Sequence, residues 1–208
     1  MLFSQMNPPR GRAEEFEAWY RDVHVPSRLA VPGFQRATRY RALEGGPAHL
    51  AVYELDMEAL ERPEYRERKQ RPEPLTGEML AEVTGFTRYT CELVADSGRR
   101  VDHNFLSVVA FEVPEDEVDE FDEWYETEHA PLLLEAEDWL RVARYRRIDG
   151  EGGPWNRFAL HELRSLEAMD SPQRRRAREA PLRAAMAERP WFGSSGRWIY
   201  EVIARTER

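Results

Sequence analysis

Two histidines stand at matching places in this chain, each with a tyrosine four residues before it: Tyr20 with His24, and Tyr125 with His129. On a helix that spacing puts phenol and imidazole on one face. Imidazole is the side chain whose ordinary pKa lies nearest neutral pH, so it suits moving a proton to or from a phenol or enol. The plainer reading is that each histidine closes a helix end by bonding a free carbonyl, which the helix dipole also favours. A second group comprises Arg36 with Tyr40 and Arg141 with Tyr145, spaced to share one face of a strand with Phe34 and Trp139. Rings beside a guanidinium suit a flat ligand carrying a phenolate or carboxylate. Paired instead with Glu54, Glu92, Glu162 and Glu201, these arginines, like Arg39, Arg144, Arg88 and Arg197, would be structural ion pairs. His24 and His129 are therefore the candidate catalytic residues. Tyr20, Tyr125, Arg36, Arg141, Tyr40 and Tyr145 are the candidate substrate contacts.

Other chemistries find little support. There is no HExxH or CxxC, His161–Glu162 stands alone, and no phosphate-binding loop precedes a helix, so neither metal nor cofactor is expected. The single cysteine, Cys91, cannot form an internal disulfide and reads as a buried, inert thiol. With 39 acidic against 30 basic side chains the net charge is -9, which repels free nucleic acid. The basic run Gln173–Arg178 has Glu179 beside it and reads as a solvated helix face, and neither half carries the aromatic strand signature of an RNA-recognition motif. The start, MLFSQM, lacks the basic flank of a signal peptide, and no run approaches the ~20 apolar residues of a membrane helix. The expected setting is cytoplasmic. The expected partner is a small apolar or aromatic molecule, with no nucleic acid and no membrane.

These residues recur because the sequence recurs. Between Glu15–Gly45 and Glu120–Gly150, at an offset of 105, the identities include Phe16/Phe121, Trp19/Trp124, Tyr20/Tyr125, His24/His129, Pro26/Pro131, Arg39/Arg144 and Tyr40/Tyr145. After small insertions the match continues through Glu54/Glu162, Pro63/Pro172 and Arg88/Arg197. A self-match rich in Trp, Tyr and His predicts two copies of one domain, at residues 1–97 and 103–208, with the polar stretch Ala95–Asn104 at their boundary.

Each copy reads β-α-β-β-α-β. In the first, Phe16, Trp19, Tyr20 and Val23 mark the apolar stripe of a helix over Ala13–Ala30, stopped near Pro26 and Pro32. FQRATRYRAL and HLAVYEL alternate as a strand hairpin, a charged helical stretch broken by prolines follows, and GFTRYTCELVA closes the unit. This order predicts an α+β chain of two tandem ferredoxin-like βαββαβ units. Packed sheet to sheet, they would form an intramolecular dimeric α+β barrel, a monomer with pseudo-twofold symmetry that leaves further dimerisation open.

The signature F-x-x-W-Y-x-x-x-H-x-P, followed by a strand bearing R-x-x-R-Y, resembles the dimeric α+β barrel superfamily and, within it, EthD-type proteins. The resemblance covers both halves. It implies cofactor-free chemistry on aromatic or polyketide-like molecules: cyclisation, dehydration, isomerisation or decarboxylation. The alternatives are a cofactor-free monooxygenase or a non-catalytic protein that binds an apolar metabolite. It also implies that the helix histidines act on the substrate.

Overall fold

A computed structural model describes residues 1–208. The protein is α+β with antiparallel strands and divides into two compact units. The first comprises residues 1–90, 149–152 and 202–208, and the second residues 91–148 and 153–201.

In the first unit the strands are β1 (Leu2–Asn7), β2 (Phe34–Glu44), β3 (His49–Leu55) and the start of β4 (Thr84–Gly98). β1 lies between β4 and β3, and β3 pairs with β2, all antiparallel. The helices are α1 (Ala13–Trp19), α2 (Val25–Leu29), α3 (Pro63–Gln70) and α4 (Pro74–Glu82). They cover one face of the sheet, where Phe16, Trp19, Tyr20, Val25 and Leu29 pack with Leu2, Ala51, Tyr53, Tyr65 and Met79. The second unit repeats this. Its strands are β5 (Phe105–Phe111), β6 (Trp139–Glu151), β7 (Arg157–Leu163) and β8 (Gly196–Glu207), with β5 between β8 and β7 and β7 paired to β6. Its helices are α5 (Val118–Trp124), α6 (Ala130–Leu134), α7 (Pro172–Glu179) and α8 (Pro181–Ala187), and its core is built on Phe121, Trp124, Tyr125 and Leu133.

Strands β4 and β8 are each divided between the two units. β4 starts in the first unit, but its residues 91–98 belong to the second, where Arg99 N–H donates to Leu140 O at 2.7 Å. Gly98 has φ +99° there, and a Cβ would stand 2.4 Å from Leu140 O, so only glycine lets the strand pass. Conversely residues 202–208 run along β2 of the first unit, with Arg208 N–H donating to Gln35 O at 3.0 Å and Glu207 paired with Arg36.

The first helical stretch runs from Ala13 to Leu29, through Pro26. Between α1 and α2 lies a π-turn, Tyr20–His24, closed by Val25 N–H donating to Tyr20 O five residues back. The wider turn accommodates a proline that lacks an N–H, and the helix runs on to Leu29. The second unit has the same π-turn at Tyr125–His129, with Ala130 N–H on Tyr125 O.

Gly33 begins β2 at φ +97°, and a Cβ there would lie 2.8 Å from the buried Ala59 Cβ. Gly33→Ala is expected to destabilise the protein by about 2 kcal/mol or more, combining a left-handed penalty with overpacking. Chemical denaturation checks this, and an unchanged midpoint would show that the turn relaxes freely.

Candidate functional site

The π-turn decides which side chains face the sheet. An uninterrupted α-helix would carry the stripe from Trp19 and Tyr20 to Val23, as the spacing suggests. The extra residue rotates the following turn, so His24 and Val25 enter the core with 7% and 1% exposure while Val23 moves to its edge. His24 lies against Trp19 and Tyr20, with ring centroids 4.6 and 5.1 Å away. Trp19 Nε1 donates to Thr76 Oγ1 on α4 at 3.0 Å, fixing the indole. From the sheet, Arg39 places its guanidinium 4.4 Å from the Tyr20 ring centroid and pairs with Glu17 at 2.8 Å, and Glu17 also lies 3.3 Å from His49. The buried Tyr53 hydroxyl on β3 interacts with that of Tyr20.

A cleft of about 360 Å³ opens at His24, walled by Ser27 and Arg28 on α2, Glu67 and Arg68 on α3, and Glu73 and Thr76 at the start of α4. Burial, reinforced by Arg28 and Arg39, holds the His24 pKa well below the ordinary imidazole value, so the ring is neutral at neutral pH. Burial pushes Tyr20 up to about 12, against the pull of Arg39 and Arg28, so its hydroxyl keeps its proton. The first unit thus presents a proton acceptor and cationic side chains at one opening, with the proton-bearing Tyr20 phenol packed behind the imidazole.

The second unit keeps the histidine but arranges it differently. His129 stands against Trp124 and Tyr125 at 4.7 and 5.1 Å, and Arg144 lies over the Tyr125 ring while pairing with Asp122 and Glu126. Tyr53 is replaced by His161, whose Nδ1 accepts from Trp139 Nε1 at 3.2 Å and whose Nε2 lies 3.5 Å from the Tyr125 hydroxyl. Indole N–H can only donate, so His161 carries its proton on Nε2 and is held as a neutral ring. Leu133 occupies the place of Arg28. Glu128 accepts the N–H groups of Leu182 and Arg183, fastening α8 to the π-turn. Burial drives His129 down to about 3, opposed by a hydrogen bond to the Ala177 backbone.

The strand residues sort differently from the sequence expectation. A bulge between Phe34 and Arg36, and its counterpart between Trp139 and Arg141, breaks the alternation. Phe34 and Trp139 consequently join the helix-side cores, whereas Arg36, Tyr40, Arg141 and Tyr145 lie on the opposite sheet face and do not meet His24 or His129. Arg141 there pairs with Asp96 at 2.5 Å and Glu162 at 2.7 Å. The arginines that reach the tyrosines are Arg39 and Arg144. Sequence reasoning favoured the first half because Arg28 is polar where the second has Leu133, but it overlooked Tyr53 and Thr76, although alternation along HLAVYEL already places Tyr53 on the face of Ala51. No three His, Cys, Asp or Glu side chains converge as a metal site.

Three buried histidines with depressed pKa values predict the pH response. The unfolded chain binds protons near pH 6.5 that the folded His24, His129 and His161 do not, so stability is complete above that pH and declines as pH falls through 6.5, for His129 down to about 3. Melting temperature should drop between pH 7 and pH 5, where most carboxylates barely titrate. His161→Phe should flatten that slope, and an unchanged slope would contradict the assignment.

No protein-family model matches the chain, and no curated protein matches it by sequence. Solved structures do. An anthrone oxidase-like protein superposes with TM-score 0.70 at 13% identity, over 99% of this chain and 92% of that one. Two proteins named as putative monooxygenases follow, each with TM-score 0.61 and 11% identity. The one from Fusobacterium nucleatum is matched over 100% of this chain and 93% of its own, that from Lactobacillus acidophilus over 99% and 94%. The fold is therefore that of the dimeric α+β barrel class to which these neighbours belong. No helix is long and apolar enough to cross a membrane.

Proposed function

We propose that this protein is a cofactor-independent enzyme acting on an aromatic or polyketide-like molecule in the cytoplasm, with His24 as its general base. The observation that supports this most is a neutral imidazole, buried and pKa-depressed, at the wall of an open cleft. A phenol or enolisable carbon held within about 2.6–3.2 Å of the ring would surrender its proton to it. Tyr20, packed on the imidazole and still protonated, would hold that base in place. From that anion, cyclisation, dehydration, isomerisation or decarboxylation can follow without a cofactor. Incubation with a panel of anthrones, phenolic acids and polyketide-like ketones, read by product analysis, tests the reading; no turnover across the panel would oppose it.

The neighbours' names favour a second reading, cofactor-free oxygenation, in which the same anion reacts with dioxygen. Oxygen uptake during turnover distinguishes the two.

We further propose that residues 1–97 and 103–208 are tandem EthD-like copies paired through their sheets as an intramolecular barrel. The recurring signature and the matching strand orders support this. Residues 1–97 alone would leave β2 without residues 202–208 along its edge. Expressed alone, this fragment should dimerise or aggregate in sedimentation experiments, and a well-behaved monomer would count against the pairing.

A further inference from the structure

Arg28 lies four residues after His24 and stands with its guanidinium 5.3 Å from the Tyr65 ring centroid. Tyr65 is itself fixed by Arg88, whose Nη2 donates to its hydroxyl at 2.7 Å. Nη1 of Arg28 is shut off from solvent and has no hydrogen-bond partner. The acids lining the cleft do not supply one: the Glu73 carboxylate accepts the N–H groups of Leu75 and Thr76, and Glu67 makes no bond to Arg28. Half-buried Arg28 thus lines the cleft with no protein carboxylate on its guanidinium, and a ligand that brings an anionic oxygen can take that place in a charge-assisted bond. Arg68 and Arg71 at the same cleft add positive charge.

We infer that the His24 cleft takes its substrate as an anion, with a carboxylate or ionised phenol on Arg28, and that the chain binds one such ligand. This rests on reading that cleft as the substrate site. A guanidinium in this position holds the negative oxygen while its neighbour His24 faces the part of the molecule that loses a proton. The cleft, at about 360 Å³, is near the lower end of small-ligand sites, which suits one or two fused rings. The second unit cannot bind in the same way, because Leu133 stands where an anion would need Arg28.

Calorimetric titration of the intact chain with 1-hydroxy-2-naphthoate and with its uncharged amide, 1-hydroxy-2-naphthamide, tests this at fixed salt. The naphthoate should bind at one per chain and about tenfold or more tighter than the amide, since a charge-assisted bond contributes roughly that much. Arg28→Leu should erase the preference, Arg28→Gln should weaken it, and Arg28→Lys should keep part of it. Glu67→Gln, which removes a like charge from the cleft wall, should raise the preference for the naphthoate or leave it unchanged. Circular dichroism melts confirm that each variant is folded, and the Gln and Lys variants decide the question if the Leu variant is not. Equal affinity for the two ligands, two anions per chain, no binding of naphthoate at millimolar concentration, or a preference that survives in Arg28→Gln and Arg28→Leu would each overturn the inference. His24→Ala should still bind the anion. A failure of His24 as general base therefore appears in turnover alone, and a failure of Arg28 appears in binding.

Discussion

His24→Ala is expected to lower turnover by about 10²- to 10⁴-fold, the usual contribution of a positioned general base, while ligand affinity changes little. Burial and two nearby arginines oppose its charging, so the ring is in the unprotonated form that a base needs, and an anion bound beside it would offset their effect. The corresponding His129→Ala should leave turnover nearly unchanged and lower the melting temperature, because that ring bonds the Ala177 backbone and packs on Trp124. Measuring kcat and Kd separately for both variants checks the contrast. If both substitutions spare kcat and cost stability, the histidines are structural and the proposed chemistry is wrong.

The largest effect on stability should come from Trp19→Ala. The indole is 1% exposed, touches Phe16, Tyr20 and His24, and donates to Thr76, joining the first helix to α4. Its removal should cost about 3–5 kcal/mol and lower the melting temperature by roughly 6–20 °C in a chain of this size. Trp19→Phe should cost less, retaining most of the packing while leaving the Thr76 hydroxyl without its donor. Trp124→Phe is a useful comparison, because Trp124 Nε1 already lacks a partner. A Trp19→Phe loss no greater than that of Trp124→Phe would show that the bond to Thr76 contributes nothing.

Much of this architecture was readable from residue spacing. Repeated Trp, Tyr and His at a fixed offset identified corresponding helices, and period-2 alternation located the hairpin strands of both units. Backbone irregularities were not readable. A π-turn depends on how a helix accommodates Pro26 against its own carbonyls, and its one-residue shift exchanged Val23 for His24 on the inner face. The bulge before Arg36 had a similar consequence on β2, separating Arg36 and Tyr40 from Phe34 and giving Arg39 the place over Tyr20. The meeting of Arg28 with Thr76 escaped notice for another reason. They come from elements with no shared period, and only tertiary packing brings them to the same cleft.

The strand along β2 has a consequence for the order in which the protein can be made. Synthesis proceeds from the N-terminus, so His24, Tyr53 and Thr76 leave the ribosome long before residues 202–208, which complete the sheet edge beside them. The unit translated first is thus the one that must wait for residues 202–208, and its unpaired β2 edge is open to other chains meanwhile. Closing it requires a contact such as Gln35 with Arg208, spanning most of the sequence, which is the kind of pairing that slows folding.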